Sequence, residues 1–334
     1  MARFAPFEGS DGWLPAVVLV ACLSCQRATA TPENGARVVT FEGTCDASAA
    51  VELGRARALI ADDENNLLRV FDVERGGKPV VEIDISASLG LDKPDGAESD
   101  LEGSTRVGDR AYFLSSHART SKGKRDPDRL IFFATALPSD RGELKVLGTS
   151  RTLIEDLMGE PRYARFGLRA ASELAPKEPG GLNLEGLTVR TEGGLWLGFR
   201  NPVPEGRALL VGLLNPEEVV EGKKARFSDP VLLDLGGLGV RALSHYRSTT
   251  LILAGPSGNG GPFKLFRLKG PNAVEPLAAD LSGFGAEAIF ADDSRDEVLV
   301  LSDDGTREVN GKPCKKLKDS RQKGFRGVWV RVPK

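Results

Sequence analysis

Two short stretches of this 334-residue chain repeat one step. Residues 100–107 read DLEGSTRV and residues 183–190 read NLEGLTVR, each an acid followed by glycine at the head of a strand-like run. Three other runs have a similar head: CDASAAVEL from Cys45, VRALSHYR from Val240 and AEAIFADD from Ala286. Laid together, they make Asp46, Glu102, Glu185, Arg241 and Glu287 equivalent positions. Carboxylates gathered on one axis raise each other's pKa unless something neutralises them. A cation does so, and calcium suits best because carboxylate and carbonyl oxygens are its natural ligands. The expected metal set is therefore Asp46, Glu102, Glu185 and Glu287. With only two histidines, His117 and His245, and few cysteines, the chain is poorly equipped for zinc. A structural role competes with the metal: such acids can accept hydrogen bonds from backbone amides of the next repeat unit and so fix the spacing between units. The glycine after the acid fits a crowded axis, where a side chain would collide with a neighbouring strand.

A second group of polar residues follows each unit's second strand-like run. It comprises DDENN from Asp62, SSHAR from Ser115, Arg200-Asn201-Pro202, GPSGN from Gly255 and Asp303-Asp304-Gly305. Acids for a cation would lie near His117, Arg119, Arg200, Asn201 and Arg241, which could hold an anion. A cation with a phosphate is the simplest ligand that uses both. Turn chemistry explains Asp303-Asp304-Gly305 well, since turns need Asp, Asn and Gly, and explains SSHAR less well.

These residues need a scaffold that brings five strand heads to one axis. Each of the five units holds three or four short β-type runs bounded by Gly, Pro, Asn and Asp. A single four-stranded sheet leaves both faces bare. Radial repetition buries them, which is a β-propeller of roughly 40–50 residues per blade. The fold class is all-β, with five blades expected and six as the alternative. The fifth unit is short of an outer strand, and residues 36–42, ARVVTFE, belong to no unit. They are expected to close the ring by pairing with the fifth blade, since an open ring would leave two bare edges. Cys45 and Cys314 flank the same seam; they either form a disulfide or are two unrelated thiols. Residues 151–181 lack strand character. LIEDLM and GLRAASEL read as helical, broken at Gly159-Glu160-Pro161, and form an insertion between blades two and three. That insertion either caps one end of the channel or decorates the surface.

The rest of the chain narrows the classes. Hydrophobic content of 40% is ample for a full core, as one large domain or two small ones, and the repeat makes residues 36–334 a single propeller domain. A net charge of -2 gives no electrostatic case for nucleic acid. There is no G-x-S-x-G elbow, Walker loop or G-x-G-x-x-G opening a helix. GPSGNGGP, from Gly255, reads as a hairpin loop, and the basic tract around CKKLKDSRQKGFR as a solvated one. Residues 13–24, WLPAVVLVACLS, form an apolar run of signal-peptide length, too short to span a bilayer. Cys22 closes a lipobox-like LVAC and is the lipidation candidate; Ala28-Thr29-Ala30 offers an ordinary cleavage site instead. Residues 1–35 are accordingly a leader or a disordered tail. Export makes the protein periplasmic or an outer-membrane lipoprotein, touching membrane only through its anchor.

Several motifs in order, GTCDASAAVEL, ADDENNLLRVF, ESDLEG, SSHART, LNLEGL, GFRNP, LLDLGGLGVRAL and LAGPSG, resemble the bacterial family catalogued as domain of unknown function 3616. The resemblance covers about residues 40–305, implies the propeller and assigns no activity. The Leu-Glu-Gly step also resembles esterase-like phytase propellers, which would imply calcium and a phosphoester substrate; Arg241, in place of a fourth-blade acid, departs from that pattern. Two functions follow. One is an exported propeller that binds an unidentified small-molecule or protein ligand at its channel mouth. The other is a calcium-dependent phosphoester hydrolase in which Asp46, Glu102, Glu185 and Glu287 hold metal, His117, Arg119 and Arg200 hold the anion, and metal-activated water attacks.

Overall fold

The computed structural model describes residues 36–91, 97–139 and 142–333. Five four-stranded antiparallel sheets are arranged around one axis. Blade one is built from Ala49–Gly54, Arg57–Ala61, Leu67–Asp72 and Val81–Asp84, and blade two from Leu101–Val107, Arg110–Ser115, Phe132–Ala136 and Val146–Ser150. Blade three runs Asn183–Val189, Leu195–Asn201, Ala208–Leu213 and Val231–Leu233, and blade four Gly239–Tyr246, Thr249–Gly255, Lys264–Leu268 and Val274–Leu277. The inner strands touch their neighbours all the way round, the fifth blade's Ala286–Phe290 against both blade four and blade one, so the ring is closed with five members. The strands read as apolar runs because both faces of each sheet pack on another blade. Leu195–Asn201 and Ala208–Leu213 are buried at every position.

Ring closure uses the strand outside the repeat. In blade five, Ala286–Phe290 pairs with Glu297–Ser302, then Gly324–Arg331, and last Val38–Glu42. Val38 faces Val328 and Glu42 faces Gly324 in that outermost pairing. Phe41 stacks on Phe325 at 4.7 Å, and Phe71 of blade one meets both rings edge-on. Three aromatic rings from the outer strand, blade five and blade one therefore form one packed unit at the seam. Cys45 and Cys314 are joined by a disulfide there, their Cα atoms 5.9 Å apart. Cys314 lies in the long connection between the second and third strands of blade five, so the basic tract is an ordered loop at that seam.

The insertion is helical, with Leu153–Met158 and Leu168–Ala171 as α-helices joined by a 3-10 turn over Pro161–Phe166. It is more than surface decoration. Leu153, Ile154, Leu157, Tyr163 and Leu168 are buried in one core with Phe132 of blade two and Leu184 and Phe199 of blade three. A short helix, Pro216–Val220, between the third and fourth strands of blade three was not expected from the sequence. Residues 1–35, where a leader or tail was expected, and Cys22 among them, lie outside the described residues. Among the described residues no helix is long and apolar enough to cross a membrane.

Candidate functional site

The acid-glycine step has a backbone cause. Glu102, Glu185, Arg241 and Glu287 each fall where the inner strand slips register against the second strand: between Leu101 and Gly103, Leu184 and Gly186, Val240 and Ala242, and Ala286 and Ala288. Each is the extra residue of a β-bulge, which bends a strand and re-aims a side chain. The following glycine is needed for space. A Cβ at Gly186 would sit 2.7 Å from Leu243 Cγ and 2.8 Å from Val240 Cγ1 of the next blade, and one at Gly103 3.0 Å from the Glu185 carbonyl oxygen.

The bulged charges divide into two sets. Arg241 is 3% exposed and lies between two acids, with Nε 3.1 Å from Glu185 Oε2 and Nη2 bonded to Glu287. Arg200 reaches the other oxygen of Glu185 at 2.8 Å, and Asn183 Nδ2 donates to the same oxygen at 2.8 Å. Burial lowers the pKa of Arg241; at Arg200 burial is opposed and outweighed by the charge of Glu185, and the pKa is raised. Glu185 and Glu287 are therefore held by arginines, and the four expected metal acids do not form one group. The physical reason is the fourth blade: its basic bulge residue neutralises the acids on either side.

Asp46 and Glu102 gather with other acids. Carboxylate oxygens of Asp63, Asp100 and Glu102 lie within 4.8 Å of one another, as do those of Asp46, Asp62 and Asp63. Asp62 is tied to the frame by Thr44 and by Arg69 at 3.3 Å. Asp100 takes a bond from Ser116 and one from Arg129 at 2.9 Å. Among the described residues Asp63 Oδ1 is buried without a partner, and so is Asn183 Oδ1 on the wall of the same cavity. Burial raises the pKa of Glu102 well above the ordinary range, reinforced by Glu185 and Asp100; burial and the neighbouring Asp62 and Asp100 do the same to Asp63. Burial and a hydrogen bond shared with Asp303 push Asp46 up to about 10. Asp303 moves the other way: burial opposes ionisation, but the bond from Asp46 and the Gly305 amide hold it below its ordinary value. Asp100 rises to about 6 through burial, moderated by Arg129.

This acid mouth opens on a cavity of ≈ 240 Å³ whose wall includes Asp63, Asp100, Glu102, Asp303 and Lys315. Below it the channel pinches to ≈ 10 Å³ beside Glu102, Glu185 and Leu243. A larger cavity of ≈ 440 Å³ occupies the opposite mouth, near Thr188, Ser244 and His245, with acids of its own in Glu52, Asp292 and Asp293.

The expected anion residues do not all meet at the acid mouth, although Arg200 lines its cavity. Arg200 directs its remaining nitrogens to the carbonyls of Pro256 and Gly258, bracing the glycine-rich hairpin loop. Asn201 donates to the carbonyls of Pro176 and Glu178 and pins the end of the insertion. Arg119 binds the insertion through the Ser172 carbonyl at 2.8 Å and through Glu173. His117 is 2% exposed and, with Arg119, lines a separate cavity behind the insertion. Sequence reasoning placed Asp63 and Asp303 among the polar loops but outside the metal set, and passed over Asp100. Asp100, two residues before Glu102, was the available signal.

Residues 136–282 match the model of a family described as protein of unknown function (DUF3616), which bears out the resemblance read from the motifs. No curated protein matches the chain. Similar solved structures include a putative oxidoreductase (glucose dehydrogenase) from Thermus thermophilus, 18% identical over 89% of this chain and 100% of that one, with a TM-score of 0.44. The PQQ-bound aldose sugar dehydrogenase of Streptomyces coelicolor is 12% identical over 89% and 99% of the two chains, TM-score 0.44. Glutaminyl cyclase of Myxococcus xanthus is 11% identical over 89% and 96%, TM-score 0.43. Likeness at this level says nothing of what this chain binds or does.

Proposed function

We propose that this five-bladed propeller is an exported binding protein whose acid mouth holds a calcium ion. The observation that carries the reading is the convergence of Asp63, Asp100 and Glu102, with Asp63 Oδ1 buried and unpartnered. Unpaired buried acids are costly. Burial raises the pKa of Asp63 and Glu102, so without a cation their protonated forms are favoured, and a cation replaces those protons. The donors are all oxygens, from carboxylates of two blades and the Asn183 amide of a third, an irregular set that suits calcium better than the strict octahedron of magnesium. Asp63, Asp100 and Glu102 would hold the ion, with Asp46 and Asn183 beside it. Glu185 and Glu287, paired to arginines, would stay outside.

The phosphoester reading gains less from this geometry. Arg200 and Arg241 are directed at carboxylates and carbonyls, and His117 and Arg119 face another cavity. The proposed location is the periplasm or the outer membrane through a lipid on Cys22, and the Cys45–Cys314 bond suits an oxidising compartment. A Cys22→Ser variant should then leave the membrane fraction. The calcium reading is tested by thermal unfolding of the full chain with calcium and with chelator. A calcium-dependent rise in midpoint, lost in Asp63→Asn and Glu102→Gln variants that still fold, is expected. No rise in the wild type removes the reading.

A further inference from the structure

We propose that the cavity between blade two and the helical insertion is a second binding site, for a small organic carboxylate carrying a hydroxyl or amide on a short apolar body. It shares no wall residue with the acid mouth, so it does not rest on the calcium reading. The cavity measures ≈ 180 Å³, below the size of a drug-like cleft. Three features define its ligand.

His117 supplies the first. It is 2% exposed, lines the cavity, and among the described residues neither ring nitrogen has a partner. Burial lowers its pKa to about 3, so the ring is neutral and presents one N–H donor and one lone pair. A hydroxyl or amide answers both. The residue is held in place at the expense of its backbone, with φ at 52°. Its amide donates to the Arg129 carbonyl, and the next amide, that of Ala118, donates to Ser116 Oγ. A bulky residue fixed in the left-handed region is a feature that concentrates at functional sites.

The wall supplies the second. Leu130, Ile154, Met158 and Leu182 line the cavity with apolar surface, alongside the carboxylates of Asp126, Glu155 and Glu173. The rim supplies the third. Arg169 is exposed there and, among the described residues, has no carboxylate within salt-bridge distance. Arg125 also lines the cavity, its side chain 72% exposed and 3.6 Å from Glu155. Arg119 is already engaged with the insertion and serves as wall. A ligand reaching from His117 to Arg169 places its polar group at the floor, its body on the apolar wall and its carboxylate at the rim.

The chain has two histidines, so the imidazole ¹⁵N spectrum of the labelled full-length protein contains two rings. The probes are 3-hydroxybutyrate and 4-hydroxybenzoate, with butyrate and phenol as single-ended controls. At millimolar concentration, at least one of the hydroxy acids should shift the His117 signals saturably and leave His245 unmoved. Arg169→Gln should weaken that acid roughly threefold to fivefold, the scale of an exposed ion pair, and leave phenol unchanged. Calcium binding should be unaffected by Arg169→Gln, which separates this site from the acid mouth. His117→Asn, chosen because Asn tolerates the left-handed backbone, should abolish binding seen from the ligand's own signals. Absence of a saturable His117 shift with either acid overturns the proposal. So does equal binding of phenol with no response to Arg169→Gln, or unchanged binding by His117→Asn.

Discussion

Arg241 offers the sharpest test of how the axis is held together. It is a fully buried guanidinium between Glu185 and Glu287, and Arg241→Met removes the charge while keeping an unbranched apolar chain. Taking one partner from a buried ion pair costs about 3–5 kcal/mol, because the other charge is left behind. Glu185 would keep Arg200 and Asn183, each at 2.8 Å. Glu287 would lose Arg241, its salt-bridge partner. The expected loss is therefore near the lower bound, about 3 kcal/mol, or roughly 6 °C at about 2 °C per kcal/mol for a chain of this size. Adding Glu287→Gln removes the stranded charge and should restore part of the loss, with a coupling on the order of 1–3 kcal/mol. Circular dichroism melts of the two single variants, the double variant and the wild type close the cycle. A loss under about 1 kcal/mol for Arg241→Met, or no coupling with Glu287→Gln, would refute the view that the fourth blade neutralises its neighbours' acids.

Other consequences are checked by the same melts. Phe41→Ala empties the aromatic unit at the seam and should cost about 3–5 kcal/mol, the range for a buried phenylalanine; a loss below about 1 kcal/mol would show that the outer strand contributes little to closure. Cys45→Ser with Cys314→Ser opens a link spanning 269 residues and should cost about 2–5 kcal/mol, with unchanged fold by circular dichroism. Gly186→Ala, whose new methyl meets Leu243 and Val240 of the next blade, should cost about 1–3 kcal/mol by overpacking, whereas Gly108→Ala, with open space but a positive φ of 62°, should act only through its backbone, by about 1 kcal/mol. In chelator the midpoint should fall from pH 5 to pH 8. Asp46, Asp63, Glu102 and Asp100 have folded pKa values raised above their unfolded ones, so their contribution is complete below about pH 4 and is lost as pH rises, towards about 6 for Asp100 and about 10 for Asp46. Asp303, shifted down, acts oppositely and only at lower pH. A midpoint that rises across this interval would contradict the assignment of buried, protonated acids.

The propeller was legible because its information is local. Alternating and apolar runs such as RALIA and LLRVFD mark strands, and the unassigned VVTFE was the strand the fifth blade lacked. The helical insertion was legible for the same reason, though its burial was not, since that depends on Phe132 and Phe199 from flanking blades. At the site, Leu-Glu-Gly correctly pointed to the axis. Which acids gather did not follow, because Asp63 sits on a blade-one hairpin and meets Asp100 and Glu102 only through the angle between blades. Arg241 looked like a departure from a metal ring; in space it is the counter-charge that divides the ring in two. His117 and Arg119 follow the second strand of blade two, whereas Arg200 lies at the end of that of blade three; the insertion partitions the former into another cavity, and no spacing in the sequence encodes that wall.

The central claim is that buried acids at one mouth keep their protons until a cation takes their place. Calorimetric calcium titration of the full-length protein at pH 7, repeated in buffers of different ionisation enthalpy, measures the protons released per ion bound. The account predicts release on the order of one to two protons per calcium, reduced in Asp63→Asn and Glu102→Gln. Calcium binding without proton release, or no binding at all, would contradict it.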